Sequence, residues 1–290
     1  MHFKLRTGMR LLIVNPNSTQ AMTDAVRDRV QLYLQHAYRY AGDDDGSPAG
    51  DKATVGDTPT CVYFTAPADA PPQIDGEKTS RESCEKCLPL LCARQANRRA
   101  YFDTFDGVLI ACFSDHPLVA ALRARSEHGT PVVGIFHAAM LECVAAGEAF
   151  SVITSNDEWV ALLDAAVARL LGCGAPTWPG KDGAGGAAGA AGAGLALWRG
   201  TVASGVPVLD LHDERNFQEI AGRVRRENVA RRGSRVVVLG CAGFSGMERA
   251  FARAMPPEQP VRFVDSVVAG LEMLAGRCRL RADYRAVVRD

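Results

Sequence analysis

Short apolar runs alternate along the chain with segments in which apolar residues recur at helical spacing. The runs predict buried β-strands at residues 10–14, 108–111, 132–136, 151–153 and 235–239. The helical spacing predicts helices at residues 20–38, 117–126, 138–146, 158–171 and 265–277. Strands that alternate with helices are typical of parallel sheets covered by helices, so the pattern predicts an α/β fold.

The pattern also repeats. A strand that ends in Asn15 to Thr19 is followed about 90 residues later by a strand that ends in Cys112, and the same sequence of features leads from Thr154 to Cys241. Ligand sites of parallel sheets lie beyond the carboxyl ends of the strands. We therefore expect two pseudo-symmetric α/β domains that face each other across a cleft, each with a polar turn and a thiol. The expected domains are residues 1–116, completed by 247–290, and residues 117–246.

Two segments have the composition of insertions. Residues 41–59 are rich in Asp, Gly and Pro, and residues 172–194 are mostly Gly and Ala. Such compositions cannot bury a core, so we expect weak order in both segments.

Charge and hydropathy exclude several classes of protein. Thirty-three basic residues balance thirty-three acidic ones, which gives no field that would favour nucleic acid or an anionic membrane. No signal peptide precedes the first strand, and no apolar run reaches the about 18 residues of a membrane span. We expect a cytoplasmic protein that acts on a small molecule.

The nine cysteines are odd in number and scattered, so reduced thiols are expected. Cys84, Cys87 and Cys92 contain one CxxC but lack a second CxxC or an HxxxH partner. The spacing does not favour zinc, and no metal is expected.

Cys112 and Cys241 are the candidate catalytic residues. Each follows a strand and precedes a turn, where backbone N–H groups and a helix dipole favour the thiolate. A buried cysteine at a strand end is more often a small hydrophobic residue, but two in equivalent contexts make that interpretation weaker.

Two opposed thiols suit racemisation, because a thiolate removes a proton from one face of a carbon while a thiol returns one to the other face. The C5 proton of a hydantoin is acidified by the adjacent carbonyl. The resulting enolate requires N–H donors such as those of Phe113, Ala242 and Gly243. No cofactor is required.

Other patterns favour structural roles. The segment from Gly240 to Gly246 lacks GxGxxG and breaks GxSxG at its last position. Asp115 and His116 are interpreted mainly as a helix cap. His137 is left open between a substrate contact and a structural histidine. Five arginines are interpreted as the solvated face of a helix: Arg223, Arg225, Arg226, Arg231 and Arg232.

Several strings resemble the Asp/Glu/hydantoin racemase superfamily, and most closely its fungal branch associated with allantoin utilisation. They are the Asn-Pro-Asn-Ser turn at 15–18, Pro-Pro-Gln-Ile-Asp-Gly at 71–76, Ala-Cys-Phe-Ser-Asp-His-Pro-Leu at 111–118, Ile-Thr-Ser-Asn at 153–156 and Leu-Gly-Cys-Ala-Gly-Phe-Ser-Gly at 239–246. The resemblance covers nearly the whole chain outside the two insertions. Phe136 and His137 depart from the Gly-Glu of many bacterial relatives.

The resemblance implies that Cys112 and Cys241 are the two bases of a cofactor-independent hydantoin or allantoin racemase. It places the substrate near Asn15, Ser18, Phe113, Ser114, Thr154, Ala242 and Gly243. It also implies that the last helix returns to the first domain, and it points to a homo-oligomer.

Two alternatives stay open. One is another cysteine-dependent isomerase or decarboxylase of the superfamily that acts on a small dicarboxylate, which would require cationic or abundant N–H donors. The motif loops contain no arginine, which favours a neutral ring. The other is a small-molecule sensor that keeps the cleft without turnover.

Overall fold

The computed structural model of the chain describes residues 8–39, 58–174, 176, 197–206 and 213–287. It contains two four-stranded sheets in which every pairing is parallel. The first sheet is formed by β1 (Arg10–Asn15), β2 (Thr60–Thr65), β3 (Gly107–Ile110) and β4 (Val132–Gly134). The second is formed by β5 (Phe150–Thr154), β6 (Trp198–Ala203), β7 (Val236–Leu239) and β8 (Arg262–Asp265).

The two sheets have the same topology. Their strand orders are β2-β1-β3-β4 and β6-β5-β7-β8. In each sheet the first and third strands along the chain are central, and the second and fourth lie at the edges. The expected α/β class with two parallel sheets flanked by helices is therefore confirmed.

Helices connect the strands. They are α1 (Gln20–Arg39), α2 (Glu77–Leu91), α3 (Pro117–Arg125), α4 (Ile135–Ala146), α5 (Glu158–Leu171), α6 (Glu214–Arg223), α7 (Glu248–Ala254) and α8 (Ser266–Val287). Helix α6 continues as a π-helix over Val224–Arg231, and short 3-10 turns lie at Phe102–Thr104 and Ala242–Phe244.

The cores explain why the central strands are apolar throughout. Outer faces of the two sheets pack into separate cores, represented by Leu12 and Val108 in the first and by Val237 and Leu239 in the second. Their inner faces share one core through α4 and α8. Strands buried on both faces lose the alternation of polar and apolar residues and read as continuous apolar runs.

The expected domain boundaries need correction. Strand β4 lies after residue 116 but pairs with β3 in the first sheet, and β8 lies after residue 246 but pairs with β7 in the second. Both sheets are completed by a fourth strand that sequence reasoning had placed in the other half. Helix α8 packs against β3, β4 and α4 of the first half, which is the return expected of the last helix.

Element boundaries differ from the predictions in three places. The predicted strand at 132–136 ends at Gly134, α4 begins directly at Ile135 instead of residue 138, and the last helix extends to Val287 instead of residue 277. Strands β2, β6 and β8 and helices α2 and α7 were not among the predicted elements, and α6 was indicated only by the arginine series that begins at Arg223. The expected insertions lie almost entirely outside the described residues, apart from 58–59, 172–174 and 176.

Candidate active site

The two candidate cysteines lie at equivalent strand ends. Cys112 follows β3 and Cys241 follows β7, each after one intervening residue, and the two strands occupy the same position in their sheets. Each intervening residue continues the sheet, since Ala111 N donates to Val14 O and Gly240 N donates to Ile153 O, both at 2.8 Å. The two thiols therefore occupy equivalent positions after the ends of their strands.

The loops that carry the two thiols approach each other at Gly240. A Cβ atom at this position would lie 2.3 Å from Val152 Cγ1 and 3.2 Å from Phe113 Cε1. The ring of Phe113, the residue after Cys112, thus reaches the residue before Cys241. Only glycine allows this close approach without displacing a strand.

Both cysteines line one cavity, whose empty space is about 430 Å³ when the open solvent at its mouth is included. The other lining residues come from both halves of the chain: Asn17, Met22, Gln73, Ile74, Ala111, Phe113, Ser155, Trp159, Gly240 and Ala242. None of the described residues that line the cavity carries a charge. The cavity therefore suits a small polar ligand without ionised groups.

Burial raises the pKa of the Cys112 thiol to about 12. A hydrogen bond between its Sγ and Ser114 Oγ, 3.4 Å apart, acts in the opposite direction. A charge on Cys241 would raise the Cys112 pKa further, because the two sulfurs share the cavity. The half-buried Cys112 is accordingly a neutral thiol near neutral pH.

Burial also raises the pKa of Cys241, to about 11, while the N–H of Gly243 lowers it by donating to Sγ at 3.3 Å. Neither thiol has the lowered pKa that was expected at a helix N-terminus. Cys241 caps only the 3-10 turn Ala242–Phe244, and Cys112 precedes α3 by several residues. Desolvation outweighs the hydrogen bonds to both sulfur atoms.

Three of the predicted substrate residues neither line the cavity nor form a hydrogen bond with its two sulfur atoms. Asn15 is buried, and its Nδ2 donates to Asn17 Oδ1, Thr19 O and Thr23 Oγ1 at 3.0–3.2 Å. Thr154 Oγ1 donates to Gly240 O at 3.2 Å, and Ser18 Oγ donates to Ala70 O at 2.9 Å. These side chains hold the turns, and the neighbouring residues Asn17 and Ser155 line the cavity instead.

The other four predicted residues lie at the cavity or at its sulfur atoms. Phe113 and Ala242 are lining residues. Ser114 is buried against Cys112, and Gly243 donates to Cys241.

Sequence reasoning missed the contribution of the loop between β2 and α2. Gln73 and Ile74 of this loop line the cavity. Both halves of the chain hold this loop by hydrogen bonds. In the first half Thr19 Oγ1 donates to Pro72 O at 2.5 Å, and in the second half Asn156 Nδ2 donates to Asp75 O at 3.3 Å. The string at 71–76 was noted only for its resemblance, although it was the available signal for this wall.

Met22 and Trp159 were also missed. They belong to α1 and α5, the helices that follow the two polar turns, so each helix contributes a large apolar side chain to the cavity. Helical spacing alone did not distinguish these positions from core positions.

The charged residues that sequence analysis singled out have structural contacts. His116 is the N-cap of α3, and its Nδ1 accepts the N–H of Leu118 at 3.2 Å. Asp115 lies 3.4 Å from His137 Nε2 and 3.2 Å from Arg169 Nη2. His137 does not line the cavity.

The arginine series is more than a solvated helix face. Arg223 Nη1 donates to Ala203 O at 3.1 Å, and Arg232 Nη1 donates to Arg199 O at 3.0 Å. Both arginines fasten α6 and its π-helical continuation to the edge strand β6.

Comparison with known proteins decides the family. A family model described as Asp/Glu/Hydantoin racemase matches residues 11–274. The chain belongs to this family. Membership of the Asp/Glu/hydantoin racemase family places the chain among enzymes, as an isomerase.

Curated relatives agree with the family. Protein DCG1 of Saccharomyces cerevisiae is 36% identical over 268 residues, which cover 91% of this chain and 94% of that protein. A hydantoin racemase of Rhizobium meliloti is 26% identical over 91% of this chain and 87% of its own length.

Solved structures share the racemase-family fold. An allantoin racemase from Klebsiella pneumoniae superposes with a TM-score of 0.64 at 21% identity, covering 94% of this chain and 89% of that one. The allantoin racemase AllR from Pseudomonas fluorescens gives 0.62 at 22% identity, with coverages of 94% and 92%.

Membrane-spanning helices and metal-binding clusters are both absent from the described residues. No described helix is long and apolar enough to cross a membrane. Within the same ranges, no group of three or more His, Cys, Asp or Glu side chains is arranged to hold a metal ion.

Proposed function

We propose that this protein is a cofactor-independent racemase of 5-substituted hydantoins, with allantoin as the first candidate substrate. The observation that carries the proposal is the pair of thiols, Cys112 and Cys241, which line one uncharged cavity from equivalent strand ends of two similar sheets. Family membership and the names of the relatives support the same chemistry.

In the proposed reaction a thiolate removes the C5 proton, and the electron pair moves into the adjacent carbonyl to form an enolate. The thiol on the opposite face donates its proton to C5, which restores the carbonyl and inverts the centre. One thiolate is consumed and one is formed, so no external acid or base is required in the chemical step. The reverse reaction exchanges the roles of Cys112 and Cys241.

The polar groups of the cavity fit a neutral ring with alternating N–H and C=O groups. Gln73 and Ser155 line the cavity and offer an amide and a hydroxyl group to a ligand. The N–H groups of Phe113 and Ala242 have no backbone acceptor within the described ranges. Such donors stabilise a developing enolate most strongly where water is excluded.

The uncharged lining disfavours the alternative of a dicarboxylate isomerase or decarboxylase. Two carboxylates require cationic partners or several N–H donors to offset the cost of desolvation. A sensor without turnover is disfavoured because both cysteines are present and face the same cavity.

Both thiols need stabilisation before either can act as the base. Burial raises both pKa values, to about 12 at Cys112 and about 11 at Cys241, and a hydrogen bond from Ser114 or from the Gly243 N–H offsets only part of this. Substrate binding must supply the rest of the stabilisation.

The test is incubation of single enantiomers of allantoin and of a 5-alkylhydantoin with the protein in deuterated water. Loss of optical rotation and deuterium uptake at C5, measured by NMR, are expected together. Cys112→Ser and Cys241→Ser are each expected to abolish enzyme-dependent racemisation.

Cys61→Ser is the matched control, because this thiol is also half-buried and burial raises its pKa to about 11, but it lies on β2 away from the cavity. It should racemise like the unmodified protein. No exchange above the uncatalysed rate with either ring would contradict the substrate assignment, and binding without exchange would revive the sensor.

A further inference from the structure

A buried ion pair joins the first half of the chain to the loop that follows Cys241. Arg29 of α1 donates through Nε to Asp265 Oδ2 at 2.7 Å and through Nη2 to Glu248 Oε1 at 2.8 Å. The side chain of Asp265 is only 4% exposed and that of Arg29 is 14% exposed. The residues are 236 positions apart, so the pair links α1 with the end of β8.

Asp265 is also the anchor of the loop that carries Cys241. Its carboxylate accepts the hydroxyl of Ser245 at 2.8 Å and the N–H of Gly246 at 3.0 Å. The same carboxylate accepts the N–H of Val267 at 2.9 Å, in the first turn of α8. One side chain therefore fixes the end of the 241–246 loop relative to β8, α8 and α1.

Arg29 packs directly against the end of this loop. Gly246 has a φ of +89°, and a Cβ atom there would lie 3.6 Å from Arg29 Cδ. The left-handed conformation of Gly246 turns its N–H toward Asp265 next to the arginine. The loop, the carboxylate and the arginine thus form one contact.

The position of α1 gives this contact a consequence for the cavity. Helix α1 begins after the turn that contains Asn17, and both Asn17 and Met22 line the cavity. At its other end the loop places Gly243 N–H on the Cys241 sulfur. The ion pair therefore connects the wall formed by α1 to the thiol of the opposite half.

We propose that Arg29 and Asp265 are positioning residues, which hold the Cys241 loop against α1 and so set the place of the Cys241 thiol relative to Cys112. This inference rests on the proposed two-thiol racemisation. Proton transfer from one sulfur and to the other requires both to lie within reach of one carbon, so a small displacement lowers turnover more than binding.

The experiment compares Arg29→Met and Arg29→Lys with the unmodified full chain. Hydrogen exchange of the peptide spanning residues 241–247 is expected to accelerate at least about tenfold in Arg29→Met, since the Gly246 N–H loses its fixed acceptor and the loop loses its anchor. Exchange in residues 111–116 is expected to stay unchanged. The kcat for hydantoin racemisation should fall at least about tenfold with KM within about threefold, and Arg29→Lys should recover part of kcat.

Arg262→Met is the matched control. Arg262 also pairs across the halves, with Glu142 of α4 at 2.5 Å, but from the start of β8, away from the Cys241 loop. It should change neither exchange in residues 241–247 nor kcat. All variants are compared well below their own melting temperatures, so that global destabilisation does not enter.

Unchanged exchange in residues 241–247 of Arg29→Met, or the same acceleration in Arg262→Met, would overturn the inference. Faster exchange with an unaltered kcat would show the pair to be only structural and would also overturn it. If the unmodified protein racemises no hydantoin, the proposed function fails. In that case the exchange data still test the placement of the Cys241 loop. A second measurement is the rate at which iodoacetamide alkylates Cys241 relative to Cys112. Arg29→Met is expected to change the ratio of these two rates at least about threefold, or about 0.65 kcal/mol.

Discussion

The N–H of Gly243 donates to the sulfur of Cys241 at 3.3 Å. Cys112 has no equivalent backbone donor among the described residues, and its sulfur contacts the hydroxyl of Ser114 instead. A hydroxyl can donate or accept, whereas an N–H only donates and always favours the thiolate. Two thiols at equivalent strand ends thus have unequal environments.

The raised pKa values of both thiols predict how the rate depends on pH. The base in the proposed reaction is a thiolate, and the pKa values of Cys241 and Cys112 are about 11 and about 12. The fraction of protein that carries a thiolate is therefore small near neutral pH. We expect kcat/KM to rise about tenfold per pH unit between about pH 6.5 and 8.5, since kcat/KM reports the ionisation of the free enzyme. Initial rates with a slowly racemising 5-alkylhydantoin measure this, and a plateau below about pH 8 would contradict it.

The parts of the fold that the sequence predicts well are the strands buried on both faces. Strands β1, β3, β5 and β7 are central and apolar, and their runs were recognised within about two residues at each end. Of the four edge strands, β4 was predicted and the other three were missed, β2 and β6 for identifiable physical reasons. Strand β2 is only partly buried. Strand β6 contains Gly200, which has a φ of +90°, and its register with β5 shifts near this residue.

The thiols were found from sequence because strand ends are marked by a change of composition, but the walls of the cavity were not. Asn15 and Asn17 have the same side chain and are two residues apart, and only the turn geometry decides which one lines the cavity. Gln73 and Trp159 reach the cavity from elements whose placement depends on tertiary packing. The fourth strand of each sheet was assigned to the wrong half because pairing between distant strands leaves no local signal.

Substitutions at Asn15 and Asn17 should separate stability from activity. Asn15→Ala leaves several buried partners unsatisfied, and we expect it to lower the free energy of unfolding by about 2–3 kcal/mol. Asn17→Asp keeps the acceptor for Thr19 N, at 3.0 Å, but replaces the amide donor by a charge in the uncharged cavity. It should lower kcat/KM at least about tenfold, while its loss of stability stays smaller than that of Asn15→Ala, because the carboxylate still accepts from Asn15 Nδ2 and Thr19 N. Urea unfolding and racemisation assays measure the two effects, and the reverse pattern would contradict the assignment.

His116 should make stability depend on pH. Burial lowers its pKa to about 4 from an ordinary value of 6.5, and its Nδ1 is occupied by the N–H of Leu118. Between these two values the unfolded chain binds more protons than the folded one, so stability is full above about pH 6.5 and is lost as the pH falls toward 4. We expect a loss of about 2 kcal/mol at pH 5 relative to pH 7.

The control for this effect is His116→Asn, which keeps an oxygen acceptor at the N-cap of α3 but does not titrate. Urea midpoints at the two pH values should differ less in this variant than in the unmodified chain. His137, whose pKa burial also lowers, contributes in the same direction and is removed separately by His137→Gln. An equal pH dependence with and without His116 would exclude it as the source.

Trp159 should limit the size of the substituent at C5. Its side chain is buried at 6% exposure and lines the cavity from α5, together with the small residues Ala111 and Ala242. Trp159→Leu enlarges the cavity, so kcat/KM for 5-benzylhydantoin should rise at least about fivefold relative to 5-methylhydantoin, in line with the about 1–3 kcal/mol that apolar fit supplies. Leu163→Ala, at a core position of the same helix that does not line the cavity, controls for general loosening. An unchanged ratio in Trp159→Leu, or the same change in Leu163→Ala, would show that this wall does not select the substituent.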